Sequence, residues 1–425
     1  MSERSERVMG GARRRADVPR YLVLNRFDDE FGAYHRYLSD QSCALAYLTL
    51  ADCVDVLDRD SALDTVVVPD LTLETVLPHA RELHARHGGF QGVVGLSEYD
   101  VLTAARLRDE LGVPGAPAAL VRTFRDKPLM KRAVAAAGLR VPRFTELTAD
   151  TTAQEVARAT GFPLVLKPRS GAASHGVRVL EDLAQLQLVL DTLNPSERGG
   201  QQCEEYVQGD VLHVDGVRRA GRYHFVSASA YVNTCLDFAQ GGRLGSYLLD
   251  DGPLRRRVIA FAAACLDALK LDDGAFHLEL LRRADGELVF LEVGMRPGGA
   301  RIPELHQELF GVDLMGEALR AALGLPPMAG PMDFQPPHGG GWVLVPEPPP
   351  LPSRVVSRTP LRGVVAEVYT ETVPEVGDVF DGQGGYLRVG GSFRLRGAGQ
   401  AEVRRAVLAV MERYEVTAEP AGVGD

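Results

Sequence analysis

Short apolar runs separated by segments of helical period open the chain. YLVLN (Tyr21–Asn25), ALAYLTL (Ala44–Leu50), TVVVP (Thr65–Pro69) and GVVGL (Gly92–Leu96) lack polar alternation, the mark of strands buried on both faces of a parallel sheet. After the last run, Ser97 is an N-cap candidate with Asp100 three residues on. The helix this predicts passes through Leu102, Ala105 and Leu111 and stops at Gly112 and Pro114. Repeated strand–helix units predict a three-layer α/β domain over residues 21–122. Its first strand runs into Arg26-Phe27-Asp28 without a G-x-G-x-x-G turn, so a dinucleotide site is excluded.

A second region, residues 123–330, starts with a helix from Lys127 to Ala137 ended by Gly138. Another runs from Thr151 to Thr160 and ends at Gly161. The strand PLVLKP (Pro163–Pro168) leads into a loop of small residues, Ser170 to Gly176, and a strand from Val177 to Leu180. QCEEYV (Gln202–Val207), a helix through Leu254–Leu269 and two strands around Asp285-Gly286 follow. Ten of the 26 prolines and the run Gly339–Gly341 fall within residues 325–352, which predicts a crossover with little regular structure. Strand-like pieces (Gly363–Tyr369, Gly385–Val389) and a helix from Ala401 to Tyr414 complete a small α+β subdomain over residues 331–425. The polar, Arg-rich residues 1–20 lack an apolar segment and read as a disordered tail without a secretory signal.

Composition narrows the partners. With 47 Lys+Arg against 57 Asp+Glu the 425-residue chain carries a formal charge of −10, a poor match for nucleic acid or an anionic membrane surface. Cys43, Cys53, Cys203, Cys235 and Cys265 stand far apart with no metal-ligand spacing, so free thiols in a reducing cytoplasm are expected. Lysine occurs only at 127, 131, 167 and 270; where arginine is the default cation, a retained lysine marks a place that needs a compact ammonium.

The segment FHLELLRRADGELVFLEV (Phe276–Val293) carries the sharpest signal. Asp285-Gly286 between two apolar runs predicts a two-residue hairpin turn, which sets Glu279 directly opposite Glu292. Their Cβ atoms would then lie about 4.5–5.5 Å apart, and like charges so opposed destabilise a sheet. A divalent cation with oxygen ligands resolves the conflict, and Mg²⁺ suits one or two carboxylates completed by phosphate oxygens and water. The alternatives are two solvated surface glutamates, or a pair sharing one proton.

Nearby residues supply further chemistry. Arg296, two pleats past Glu292, could hold a carboxylate or a developing oxyanion, with Gly298 and Gly299 allowing close backbone approach to a ligand. Lys167 precedes the Ser170–Gly176 loop, whose backbone N–H groups could cap phosphate oxygens, although the order is not that of a P-loop. Gln202–Val207 fits a short strand whose backbone could pair with a purine edge, with Glu204 as acceptor for an exocyclic amine; the alternative is an ordinary edge strand carrying solvated acids.

In order, RDKPLMKRAVAAAGLRVPRF, GFPLVLKPRSGAASHGV, EEYVQGD, FHLELL and FLEVGMRPGG resemble the ATP-grasp superfamily from about Arg122 to Leu325. The resemblance implies an α/β protein with a Rossmann-like pre-ATP-grasp domain, a lid at about 140–205, a central domain and a small C-terminal α+β cap. It implies that Lys127 and Lys167 contact ATP, that Ser170, Gly171 and Gly176 belong to a mobile phosphate lid, and that Glu204, Glu205 and Val207 line the adenine hinge. Glu279 and Glu292 would bind Mg²⁺, for which Mn²⁺ can substitute. Gly294 stands where many members carry Asn. Val211 stands where many carry a ribose-contacting Glu, a role left to Asp210 or His213.

The ending EVGMRPGG is similar to L-amino acid ligases. That likeness implies carboxylate–amine ligation through an acyl phosphate, with Lys167 and Arg296 as catalytic groups and Arg296, Gly298 and Gly299 at the amino acid substrate. A homodimer is an expectation from the same resemblance. A bicarbonate-using carboxylase and a catalytically silent nucleotide-binding module are the competing readings.

Overall fold

The computed structural model describes residues 18–330, 338–382, 385–386 and 388–421; the expected tail at 1–17 lies outside the described residues. The chain divides into two compact units, residues 1–122 with 315–330, and residues 123–314 with 331–425.

The first unit is built on four parallel strands, β1 (Arg20–Asn25), β2 (Ala44–Thr49), β3 (Asp64–Val67) and β4 (Gly92–Gly95), in the order β3-β2-β1-β4. Leu22, Leu24, Leu48 and Val93 pack against Val76, Ala80 and Leu83 of the helix Leu73–Arg86 and Leu107 of the helix Val101–Leu111. Each fully buried valine or leucine among them contributes about 1.5–3 kcal/mol. The latter helix starts at Val101 and not after Ser97. Asp100 closes a bidentate pair with Arg26 at 2.7 Å to each oxygen, and Ser97 Oγ accepts only the Tyr99 N–H at 3.3 Å. It ends at Gly112, where φ of +64° satisfies the left-handed cap. Arg320, from the returning segment, is buried here and donates to the Tyr37 carbonyl at 2.8 Å.

The second unit holds three sheets. Strands β5 (Phe144–Glu146), β6 (Leu164–Pro168), β7 (Arg178–Leu180) and β8 (Gln201–Glu205) form an antiparallel sheet in the order β5-β8-β6-β7, covered by Val156 and Leu186 from two helices. A capping box, Thr152 with Glu155, fixes the start of one of them. Because β8 pairs with both β5 and β6, Gln202–Glu205 is interior to its sheet and not an edge strand.

The large sheet runs through β9 (Asp210–Arg219), β10 (Arg222–Tyr231), β11 (Leu244–Leu248), β12 (Gly274–Arg282), β13 (Leu288–Gly294) and β14 (Gly339–Val345). The chain continues into β15 (Ser353–Arg358), β16 (Val368–Thr372), β17 (Val379–Phe380), β18 (Gly391–Gly397) and β19 (Val416–Pro420). Sheet order is β13-β12-β9-β10-β11-β14-β18-β16, with β17-β15-β19 as a separate small sheet. The C-terminal α+β region therefore divides, part of it completing the large sheet. Gly339–Gly341, expected in an irregular crossover, begins β14. A Cβ at Gly341 would stand 2.7 Å from both the Ser246 carbonyl and Val403, so glycine lets the helix Gln400–Arg413 close on the sheet. The described part of Gly385–Val389 is turn and not strand.

The β12–β13 hairpin differs at its turn and agrees at its key pair. Arg282 pairs with Leu288, so residues 283–287 form a longer loop, with the Arg283 N–H donating to the Glu287 carbonyl at 2.9 Å and Gly286 at φ of +86°. A register shift between Glu279 and Leu280 leaves Leu291 unpaired as a bulge. The bulge cancels the one-residue offset of the turn, and Glu279 pairs with Glu292.

Candidate active site

Within the second unit a cleft of about 560 Å³ lies between the two main sheets. Val165, Lys167, Val177 and Val179 line one wall, Val211, Glu279, Leu281, Leu291 and Glu292 the other, and the 205–209 segment closes the back. The facing valines and leucines make a slot suited to a flat aromatic ring. Gly171, Ala172, Ser174 and His175 of the small-residue loop border the opening. Ala173 and Ser174 adopt positive φ of 53° and 56°, a strained conformation for residues with a Cβ.

Charges gather at one end. Lys127 is the first residue of the helix Lys127–Ala136, held there because Asp126 caps the Leu129 N–H at 3.2 Å and pairs with Arg169 at 2.8 Å. Its Nζ lies 2.8 Å from the Gly171 carbonyl and 3.1 Å from Glu292 Oε2. One helical turn on, Lys131 is fully buried with Nζ 2.9 Å from Glu204 Oε2, and Lys167 Nζ pairs with Glu204 Oε1. Three ammoniums (Lys127, Lys131, Lys167) thus balance three carboxylates (Glu204, Glu279, Glu292). Burial pushes Lys131 down to about 8 against the pull of Glu204. Burial also opposes the charge on Lys167, but Glu204 and Glu292 outweigh it and hold that ammonium above its ordinary value. Burial would raise Glu292, yet Lys127 and Lys167 bring it down to about 2.

Glu204 is therefore not an open acceptor for an exocyclic amine, because both its oxygens face buried lysines. Glu205 lines the cleft while its carboxylate is fastened by Arg140 at 2.9 and 3.0 Å and by the Arg143 N–H at 3.1 Å. Val207 lines the cleft and makes no hydrogen bond to protein among the described residues, so its backbone is available to a ligand. Asp210 pairs with Arg282 outside the cleft, and His213 is buried between Asp215 and Ser246; neither lines the cleft as a ribose contact would. Ser170 and Gly176 also stand off its lining: the Ser170 carbonyl accepts from Arg125 at 3.0 Å, and Gly176 supplies φ of +72° next to Pro168.

Past Glu292, Arg296 donates to the Pro297 carbonyl at 2.7 Å and does not line the cleft. Its charge, after burial, is what lowers the neighbouring Arg125 guanidinium. A Cβ at Gly298 would come within 2.5 Å of Asp215 Oδ1, so this turn closes on the sheet, whereas Gly299 faces open space. Glu279 itself is buried, 3.4 Å from His277 Nε2 and 3.7 Å from Cys235 Sγ. Burial opposes the charge on His277, but Asp215, with Glu279 next in weight, lifts it to about 9.

Lys131, His277 and Asp215, buried behind the residues that line the cleft, are charged groups that the sequence reading missed. The available signal was spacing: His213 and Asp215, like His277 and Glu279, stand two apart on strands and so share a sheet face.

No protein-family model matches the chain. It is 27% identical over 268 residues to an L-arginine-specific L-amino acid ligase of Bacillus subtilis, covering 60% of this chain and 63% of that protein. It is 25% identical over 277 residues to dapdiamide A synthase of Enterobacter agglomerans, covering 61% and 62%. The chain thus spans less than two thirds of these curated relatives. Among solved structures, an L-amino acid ligase from Bacillus licheniformis superposes with a TM-score of 0.75 at 18% identity, covering 94% of this chain and 99% of that one. The chain shares the fold of that L-amino acid ligase, and in sequence it resembles L-amino acid ligases.

Proposed function

We propose that the protein is an ATP-dependent ligase that joins an amino acid, through its carboxylate, to a second amino acid or small amine. The observation that carries this reading is the register pair Glu279–Glu292 facing Lys127 and Lys167 in one cleft. Two in-register carboxylates beside two ammoniums fit a divalent cation under a polyphosphate, Mg²⁺ or Mn²⁺ by their all-oxygen character. Such a cation would neutralise phosphate charge and orient the transferred group.

The chain's own residues would do the rest. The apolar slot between Val165, Val179, Leu281 and Leu291 would grip the purine, and the Val207 backbone would bond its edge. Lys127 and Lys167 would hold the phosphates, with Lys127 exchanging its contact with Glu292 for a phosphate oxygen. The Gly171–His175 loop would close over them and keep water from the reactive product. In the first step a substrate carboxylate oxygen bonds the γ-phosphorus as the bond to ADP breaks. In the second, an amine nitrogen bonds the acyl carbon, phosphate leaves with the carbon–oxygen electron pair, and the amine gives up a proton. Arg296 would steady the oxyanion of that second step. Free cysteines suit a reducing cytoplasm.

ADP release measured with amino acids supplied singly and in pairs tests this reading. Turnover that needs a pair is expected. Turnover that needs bicarbonate, or nucleotide binding with no turnover under any pairing, would overturn it.

A further inference from the structure

Beneath the cleft, one face of the large sheet carries polar side chains where a core would ordinarily be apolar. Asp215 pairs with His277 across β9 and β12, and His213 pairs with Glu279. All four are buried, Asp215 and His213 almost completely. Buried polar groups must satisfy one another, and these do so in sequence. Ser246 Oγ lies 2.7 Å from His213 Nε2, and His213 Nδ1 lies 2.6 Å from Asp215 Oδ2. Asp215 Oδ1 lies 2.7 Å from His277 Nδ1, and His277 Nε2 lies 3.4 Å from Glu279 Oε1.

His213, Asp215 and His277 converge closely enough to suggest an ion site of their own. Their spacing argues otherwise. Nitrogen–oxygen separations of 2.6 and 2.7 Å are those of a shared proton. Ligands each about 2.0–2.1 Å from one metal stand farther apart, roughly 3 Å or more. Asp215, with each oxygen on a different imidazole, cannot rotate. His277 is thereby fixed in ring orientation, and the Gly298 backbone packs closely over the pair, where an added Cβ would stand 2.5 Å from Asp215 Oδ1 and 3.1 Å from His277 Nδ1.

We propose that Ser246, His213, Asp215 and His277 form a positioning chain that fixes the Glu279 carboxylate, so that it presents its second oxygen to a divalent cation in the nucleotide cleft. This deepens the reading given under Proposed function and rests on Glu279 being a cation ligand. His277 is a positioning residue: it acts through Glu279 and touches neither nucleotide nor substrate. Without it, that oxygen of a buried carboxylate keeps only the weak Cys235 thiol donor at 3.7 Å, and the ligand swings among rotamers before each binding event.

The test uses the full chain with Mn²⁺ as the probe, titrated by electron paramagnetic resonance in the presence of a non-hydrolysable ATP analogue. Nucleotide affinity is measured separately in chelator. His277→Asn places its amide near the former Nδ1 and keeps the bond to Asp215, whereas His277→Gln reaches the position of Nε2. His277→Asn should weaken Mn²⁺ binding about 10–100-fold, the usual loss for an outer partner of a metal ligand, with nucleotide affinity in chelator unchanged. His277→Gln should regain most of that loss. Wild-type Mn²⁺ affinity in His277→Asn, or equal losses in both variants, overturns the positioning chain. Wild-type Mn²⁺ affinity in Glu279→Gln overturns the ligand reading beneath it, which separates the two failures.

Discussion

Glu204→Gln should be among the most destabilising single changes in the second unit. The carboxylate is 2% exposed and lies between Lys131, at 2.9 Å, and Lys167. At an effective dielectric of 20, one such contact has a gross attraction of roughly 6 kcal/mol, most of which offsets desolvation. Removing the charge strands the fully buried Lys131 beside Lys167, which keeps only Glu292 and Glu279 as opposing charges, a cost of about 3–5 kcal/mol. Lys131→Met should cost less, about 1–3 kcal/mol, because Glu204 keeps Lys167. The double variant should cost less than the sum of the two, since the second change removes the charge the first one stranded. Urea unfolding followed by fluorescence of Trp342, the only tryptophan and buried in β14, reads all three. A loss below about 0.5 kcal/mol for Glu204→Gln, the range of ordinary surface substitutions, would refute the account of this cluster.

Lys127→Met should raise KM for ATP at least about tenfold, equivalent to roughly 1.4 kcal/mol of lost binding, while leaving the fold intact by circular dichroism; an unchanged KM removes Lys127 from the phosphate site. Gly298→Ala should destabilise by about 1–3 kcal/mol through overpacking and lower ligation, because its Cβ would stand 2.5 Å from Asp215 and 2.7 Å from Ile302; thermal melts and ADP release check both. Cys203 and Cys265 are fully buried and pushed up to about 12 by burial, so native protein at pH 8 should resist iodoacetamide at both, as read by mass spectrometry, and label at both only after unfolding.

Much of this architecture was legible in residue order. Apolar runs without alternation marked β1, β2 and β4 because strands covered on both faces need no polar positions, whereas β3, expected to be buried like them, is an edge strand with Val67 exposed. The Glu279–Glu292 pairing was legible for a partly accidental reason: a longer turn and a bulge at Leu291 shift the register in opposite senses and cancel. Bulges have no reliable local signature, so the turn could not have been sized from Asp285-Gly286 alone.

Other features were hidden because burial of a charged group is a tertiary event. Lys131 and Glu204 read as solvated by residue type, and only the packing of the Lys127–Ala136 helix near β8 makes them a buried pair. No local pattern around Glu204 reveals that both its oxygens are engaged, since Lys131 and Lys167 reach it from separate elements. Likewise β8 looked like an edge until β5, from about sixty residues earlier in the chain, paired on its other side. His213 invited a ribose role by proximity in sequence, but the alternation of β9 turns it into the sheet beside Tyr231, with rings 4.5 Å apart.

The central claim is that Glu279 and Glu292 hold one divalent cation together at the nucleotide phosphates. Crystals grown with Mn²⁺ and a non-hydrolysable ATP analogue, measured at a wavelength where manganese scatters anomalously, address it directly. The account predicts an anomalous peak within coordination distance, roughly 2–2.5 Å, of carboxylate oxygens from both glutamates. A peak bound by other residues, or nucleotide in the cleft with both glutamates turned away from the metal, would contradict it.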